Sequence, residues 1–178
     1  SDTFSSEELG GVLVPLAGVQ DKEEAYSLER VGKMKEDATG TVTFRLRVEA
    51  ADLSTAGKKI SSKALGVTLI SADSILAADK GGTSDPFAVA ELVYAETDKP
   101  VKNAKKIKTK TIKKTLEPEW NHEEVQWSIP DDISGLCVKV TIFDSDTFSS
   151  EELGGMLFPL ASIQNSFFFD KEEAYPLE

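Results

Sequence analysis

Two short acidic segments hold the residues of this sequence best suited to chemistry. The first is Asp79-Lys80-Gly81-Gly82-Thr83-Ser84-Asp85-Pro86-Phe87, and the second runs Asp144-Ser145-Asp146-Thr147-Phe148-Ser149-Ser150-Glu151-Glu152. Carboxylates crowded into such loops raise one another's pKa and are unfavourable until a cation neutralises them. Calcium accepts about six to eight oxygens in loose geometry, which suits acids offered from several flexible loops, whereas magnesium prefers a stricter octahedron. Zinc or copper would call for His or Cys, and the chain has only His122 and Cys137. Gly81-Gly82 lets the backbone fold so that Asp79 and Asp85 approach from the two ends of one loop. In Asp144-x-Asp146, two carboxylates turn toward one point as the chain leaves a strand.

A second charge feature has the opposite sign. Eight lysines (99, 102, 105, 106, 108, 110, 113 and 114) fall between Lys99 and Lys114 with no acid among them. Lys106, Lys108 and Lys110 alternate with Ile107, Thr109 and Thr111, so a strand here has one cationic face and one that packs. A solvated, aggregation-resistant edge is the plainer reading of such a strand, but edge protection usually mixes signs. The net charge of −11 by itself argues against anionic partners such as nucleic acid or phospholipid. Its division into an acidic cup and a basic stripe matters more than its sum.

The elements that must position these loops are strands. Thr41–Val48 alternates with period two, placing Val42, Phe44, Leu46 and Val48 on one face. Further strands are predicted at 64–70, 87–94, 105–115, 122–129, 136–143, 155–161 and 173–177, parted by Gly, Pro, Asp and Asn. Eight short strands predict an all-β, two-sheet antiparallel sandwich. Cys137 lies in the alternating run Leu136-Cys137-Val138-Lys139-Val140 and reads as a buried structural thiol, and one cysteine excludes an internal disulfide. No apolar run is long enough to span a membrane, and no signal peptide is read.

The chain also repeats itself. Residues 1–11, SDTFSSEELGG, recur unchanged as 145–155, and VLVPLAGVQ is echoed by MLFPLASIQ. After an insert, Asn165-Ser166-Phe167-Phe168-Phe169, DKEEAYSLE at 21–29 is echoed by DKEEAYPLE at 170–178. A domain-length spacing predicts residues 1–29 as the end of a preceding copy, 30–37 as a linker and 38–178 as a complete domain. Residues 1–29 lack the strands to form a core. They are expected to add to a sheet edge, to replace their counterparts in the second copy, or to exchange between chains as a dimer. On exchange, Asp2 and Glu7 or Glu8 would stand in for Asp146 and the late glutamate. The phenylalanines of the insert read as core filling, with a partner surface as the alternative.

Three of these segments, D-x-G-G-T-S-D-P-F at 79–87, K-K-T-L-E-P-E-W-N at 113–121 and F-D-S-D-T-F at 143–148, together resemble a C2 domain of the synaptotagmin and conventional protein kinase C kind. The resemblance implies an eight-stranded Greek-key β-sandwich binding two or three Ca2+ ions in loops at one end. Asp79 and Asp85 match the first-loop ligands, and Asp144 and Asp146 those of the third loop. Where the family has a fifth aspartate this chain offers Glu151 or Glu152, and the register leaves both open. The implied function is calcium-dependent docking on anionic phospholipid, in trafficking or lipid signalling, by a cytoplasmic protein that becomes peripheral to the membrane. Phe148 matches a loop tip that enters the headgroups, with packing beside the loop as the alternative. Lys80 occupies the first-loop tip, where a Lys near an anionic surface contributes about 1 kcal/mol. Lys106, Lys108 and Lys110 match a polybasic strand that in some members binds phosphoinositide or protein, and Lys113 and Lys114 lie nearer the calcium end. Trp120, Asn121 and His122 match scaffold. The alternative function is calcium-independent assembly through the lysine-rich strand. An enzyme is disfavoured, since no His-paired nucleophile or phosphate-cradling loop is present.

Overall fold

The computed structural model describes residues 20–55 and 58–163. Among the described residues eight strands form, most of them on alternating or apolar runs: β1 (Gln20–Ser27), β2 (Thr41–Thr55), β3 (Lys58–Asp73), β4 (Pro86–Tyr94), β5 (Ile107–Lys108), β6 (Val125–Ile129), β7 (Leu136–Ser145) and β8 (Ser150–Pro159). They build two four-stranded antiparallel sheets, ordered β1-β2-β3-β6 and β5-β4-β7-β8.

The core lies between the sheets. Val42, Phe44, Leu46 and Val48 of β2 and Leu65, Val67 and Leu69 of β3 face Ala88, Ala90 and Leu92 of β4 and Val138, Val140 and Ile142 of β7. Full burial of one such side chain contributes about 1.5–3 kcal/mol, so this interior supplies the main driving force. Strands β4 and β7 are buried on their other face too. Phe87 and Phe143 stack there with ring centroids 5.3 Å apart, and Lys108 lies 4.3 Å over the Phe87 ring. Cys137 is buried, as its strand position predicts, and burial pushes its thiol pKa up, with the charge of Asp98 adding to the shift.

Several expected strands differ from what folds: β2 runs on to Thr55, β3 starts at Lys58 and β6 only at Val125, and two others change more. The 105–115 strand is reduced to Ile107–Lys108. The Thr109, Ile112 and Thr115 amides donate to the carbonyls of Ala88, Pro86 and Ser84, so three residues advance on this side for every two on the other, and no regular ladder survives. The alternation persists in burial as far as Lys110, with Ile107 and Thr109 buried and Lys106, Lys108 and Lys110 exposed, but Thr111, expected on the packing face, is exposed because the chain has left the ladder. The 155–161 strand begins earlier, at Ser150, so Glu151 and Glu152 are strand residues. The expected strand at 173–177, like the Phe167–Phe169 insert, Asp2, Glu7 and Glu8, lies outside the described residues.

The edge of the first sheet is filled by β1, which pairs with β2 from Gln20 opposite Val48 to Ser27 opposite Thr41. Tyr26 stacks on Phe44 at 4.8 Å and meets Phe158 edge-on at 5.4 Å. Such pairs contribute about 0.5–1.5 kcal/mol each beyond area burial. Leu28 is only 6% exposed and joins the core. Glu29 crosses to the other sheet, exchanging backbone hydrogen bonds with Gly155 at 2.8 and 3.0 Å. Gly154 has φ +149°, and a Cβ there would meet Leu28 at 3.1 Å, so glycine permits this close approach. Among the described residues no helix is long and apolar enough to cross a membrane.

Candidate calcium-binding loops

Strand β3 ends at Asp73, β4 begins at Pro86 opposite Asp144 of β7, and β8 begins at Ser150. The 74–85 and 146–149 connections therefore emerge at the same end of the sandwich. The first is stapled from within. Ser84 is fully buried; its Oγ accepts the Ala78 N–H and donates to the Leu76 carbonyl, each at 2.9 Å. Asp79 N–H donates to the Thr83 carbonyl and Gly82 N–H to the Asp79 carbonyl, closing a tight turn in which Gly82 adopts φ +77°. The second is closed by Asp146 N–H donating to the Ser149 carbonyl at 3.0 Å.

The segment 109–121 crosses this end from one sheet to the other and braces the first loop. Thr115 N–H donates to Ser84, Ile75 N–H to Leu116, and Trp120 N–H to Ile70. Trp120 is buried with Nε1 donating to the Pro86 carbonyl at 3.3 Å, a scaffold role. Asn121 sits at φ +43° and donates its N–H to Ile70, and His122 N–H donates to Leu69.

Carboxylate oxygens of Asp79, Asp144 and Asp146 come within 4.8 Å of one another. Asp144 is only 2% exposed, while Asp79 and Asp146 reach solvent. Asp144 Oδ1 accepts the Asp85 N–H at 2.6 Å. Burial pushes the Asp144 carboxyl up from the ordinary carboxylate range. The charges of Asp79, Asp146 and Asp85 raise it further, against the lowering effect of that hydrogen bond. The cup is electrostatically frustrated by itself, and an added cation relieves that frustration. All of its donors are carboxylates, with neither His nor Cys, a set that fits a hard, oxygen-seeking ion such as calcium.

The remaining acids lie around this trio. Asp85 Oδ1 accepts the Lys114 N–H at 2.7 Å, where Lys114 adopts φ +55°. Glu151 is exposed opposite Asp144, and neither it nor Glu152 belongs to the group of three. Glu152 Oε2 accepts the Lys33 N–H at 2.8 Å, so the 30–37 segment engages one of the two candidate fifth acids.

A family model described as the C2 domain matches residues 63–174. This chain belongs to the C2 domain family. Within this C2 domain, the sequence resemblance and the folded architecture agree on an antiparallel β-sandwich. Rabphilin-1 of Caenorhabditis elegans is 33% identical over 128 residues, covering 71% of this chain and 10% of that protein. Synaptotagmin 1 of Drosophila melanogaster is 33% identical over 143 residues, covering 79% of this chain and 27% of that protein. The C2 chain thus spans only a minor part of these relatives. Among solved structures, a C2 domain of RIM from Drosophila is similar at 23% identity with a TM-score of 0.48, covering 65% of this chain and 85% of that one.

The cationic and apolar candidates are distributed around the same end. Phe148 is 99% exposed at the loop tip, which excludes its packing beside the loop. Lys80 is exposed on the neighbouring loop, and Lys113 and Lys114 are exposed on the bracing segment. Lys106 pairs with Glu91 at 3.0 Å, further down the β5 edge near Lys108 and Lys110. Sequence reasoning did not single out Ser84 as the staple, nor Lys33 as a partner of Glu152. The signal for Ser84 was present: a small hydroxyl between two turn residues and an apolar strand is a common backbone-bonding position.

Proposed function

We propose that this C2 domain is a calcium-dependent phospholipid-binding module, docking the protein that carries it on anionic membranes in trafficking or lipid signalling. The observation that carries the reading is the convergence of Asp79, Asp144 and Asp146 beside a fully exposed Phe148. Asp79, Asp144 and Asp146 hold the ions, two or three in number, with Asp85 and one of Glu151 and Glu152 completing the set. Of the two glutamates, Glu151 is favoured, because Glu152 already accepts the Lys33 amide. Calcium supplies the positive charge that lipid phosphate oxygens then coordinate. Phe148 enters the headgroup region, while Lys80, Lys113 and Lys114 draw the domain to an anionic surface. Lys106, Lys108 and Lys110 extend the cationic contact toward phosphoinositide.

Sedimentation with phosphatidylserine-containing liposomes tests this directly. The chain is expected to pellet with calcium, to remain in the supernatant with chelator, and to lose pelleting when Asp144→Asn and Asp146→Asn are combined. Pelleting unaffected by chelator would overturn the reading.

A further inference from the structure

The edge of β2 is occupied by one specific strand, and this chain carries the sequence of that strand twice. Asp21–Glu29 and Asp170–Glu178 agree at every position but one, Ser27 against Pro176. Each described contact of the first copy therefore has a counterpart in the second. Tyr175 corresponds to Tyr26, which stacks on Phe44 and Phe158. Leu177 corresponds to Leu28, buried in the core, and Glu178 to Glu29, bonded to Gly155. Glu172 corresponds to Glu23, the ion-pair partner of Arg45.

The single difference falls where it does no harm. Leu28 N–H donates to the Gly40 carbonyl at 3.0 Å, continuing the register in which Ser27 lies opposite Thr41. Antiparallel pairs alternate between hydrogen-bonded and non-bonded, so the Ser27 amide points away from β2. Because β1 is the edge of its sheet among the described residues, none of them places a strand on the other side of that amide. A proline there loses no ladder bond, which is the position in a sheet where proline is tolerated.

Each chain thus holds one site and two interchangeable occupants. Residues 28–40 tether Asp21–Glu29 directly to β2, a short closure that keeps the site in its own chain supplied. A matching site for the duplicate exists on every other copy, where exchange would replace like with like. We propose that Asp170–Glu178 of one copy occupies the edge of β2 in a second copy, displacing Asp21–Glu29, with Asp170 opposite Arg47 and Pro176 opposite Thr41. The contact joins a segment of one copy to a site on another, so it closes as a reciprocally exchanged dimer or propagates into longer assemblies.

Cross-strand disulfide trapping in the full-length chain tests the proposal. Glu23 and Arg45 form a non-hydrogen-bonded pair, whose Cα separation of about 4.5 Å accepts a disulfide. In a Cys137→Ala background, the double variant Arg45→Cys/Glu172→Cys is expected to oxidise to disulfide-linked dimers and longer species, with the 45–172 linkage identified by peptide mapping. Glu23→Cys/Arg45→Cys serves as the control and links within monomers. A 45–172 linkage confined to monomers, or absent while the control links fully, would overturn the proposal. A second readout needs no cysteine. A fluorescent peptide of residues 169–178 is expected to bind the unmodified chain and to bind Arg45→Glu several-fold more weakly, and a flat titration would overturn the proposal.

Discussion

Asp144 is where fold and charge conflict most sharply. Its carboxyl is buried beside three other aspartates, so its folded-state pKa lies above the unfolded value of about 3.9. The stability contributed by its protonation is fully present below the unfolded value and is lost as pH rises through the raised folded pKa. Asp144→Asn keeps an oxygen for the Asp85 amide while removing the charge. In chelator at neutral pH, Asn is therefore expected to be more stable than the wild type by about 1 kcal/mol, the ordinary scale of a single substitution. The advantage should vanish at acid pH, and calcium should stabilise the wild type while leaving the variant nearly unchanged. Thermal melts across pH, with and without calcium, check all three. Phe148 has the opposite character, being 99% exposed. Phe148→Ala is expected to leave the unfolding midpoint in chelator within about 0.5 kcal/mol of wild type and to weaken calcium-dependent liposome binding. A melting curve and a sedimentation assay on the same preparation separate the two effects.

Among the elements, the acid-bearing loops hold their shape through neutral groups. Ser84 joins the two ends of the 74–85 loop by bonding Ala78 and Leu76. Ser84→Ala leaves both backbone groups without that partner, at a cost of about 1–3 kcal/mol, and should also lower calcium affinity, since Asp79 and Asp85 flank the staple. Chemical denaturation and calorimetric calcium titration measure the two parts. The lysine-rich element illustrates how far a pattern reads. Alternation correctly placed Ile107 and Thr109 inward and the lysines outward, and failed at Thr111, which is exposed. It gave no sign that the chain must leave the β4 ladder after Lys108. That departure follows from the bonds of Thr115 to Ser84 and of Lys114 to Asp85, made to residues far away in sequence.

For the molecule as a unit, the sandwich is completed by a strand from the beginning of the chain. Leu28→Ala removes a core side chain on that strand and is expected to cost about 2–5 kcal/mol. It should also speed hydrogen exchange of the β1 and β2 amides more than those of β4 and β7. Chemical denaturation with exchange mass spectrometry provides the check. A uniform rise in exchange across both sheets would instead mean that β1 opens only when the entire fold unravels.

The features legible from residue order are local ones. Period-two alternation marks β2, the apolar runs mark β3, β4 and β7, and the acid spacings mark the two loops, because side-chain direction along a strand follows from covalent geometry alone. The resemblance of three motifs added the C2 architecture. Which acids meet depends on the folded chain. Asp79 joins Asp144 and Asp146, Asp85 turns to the Lys114 amide, and Glu152 turns to the Lys33 amide. The placement of Gln20–Ser27 at the edge beside β2 is settled in the same way. The segments 21–29 and 170–178 carry nearly the same local signal, and among the described residues it is Gln20–Ser27 that pairs with β2, with Tyr26 and Leu28 packed against Phe44, Phe158 and Gly154.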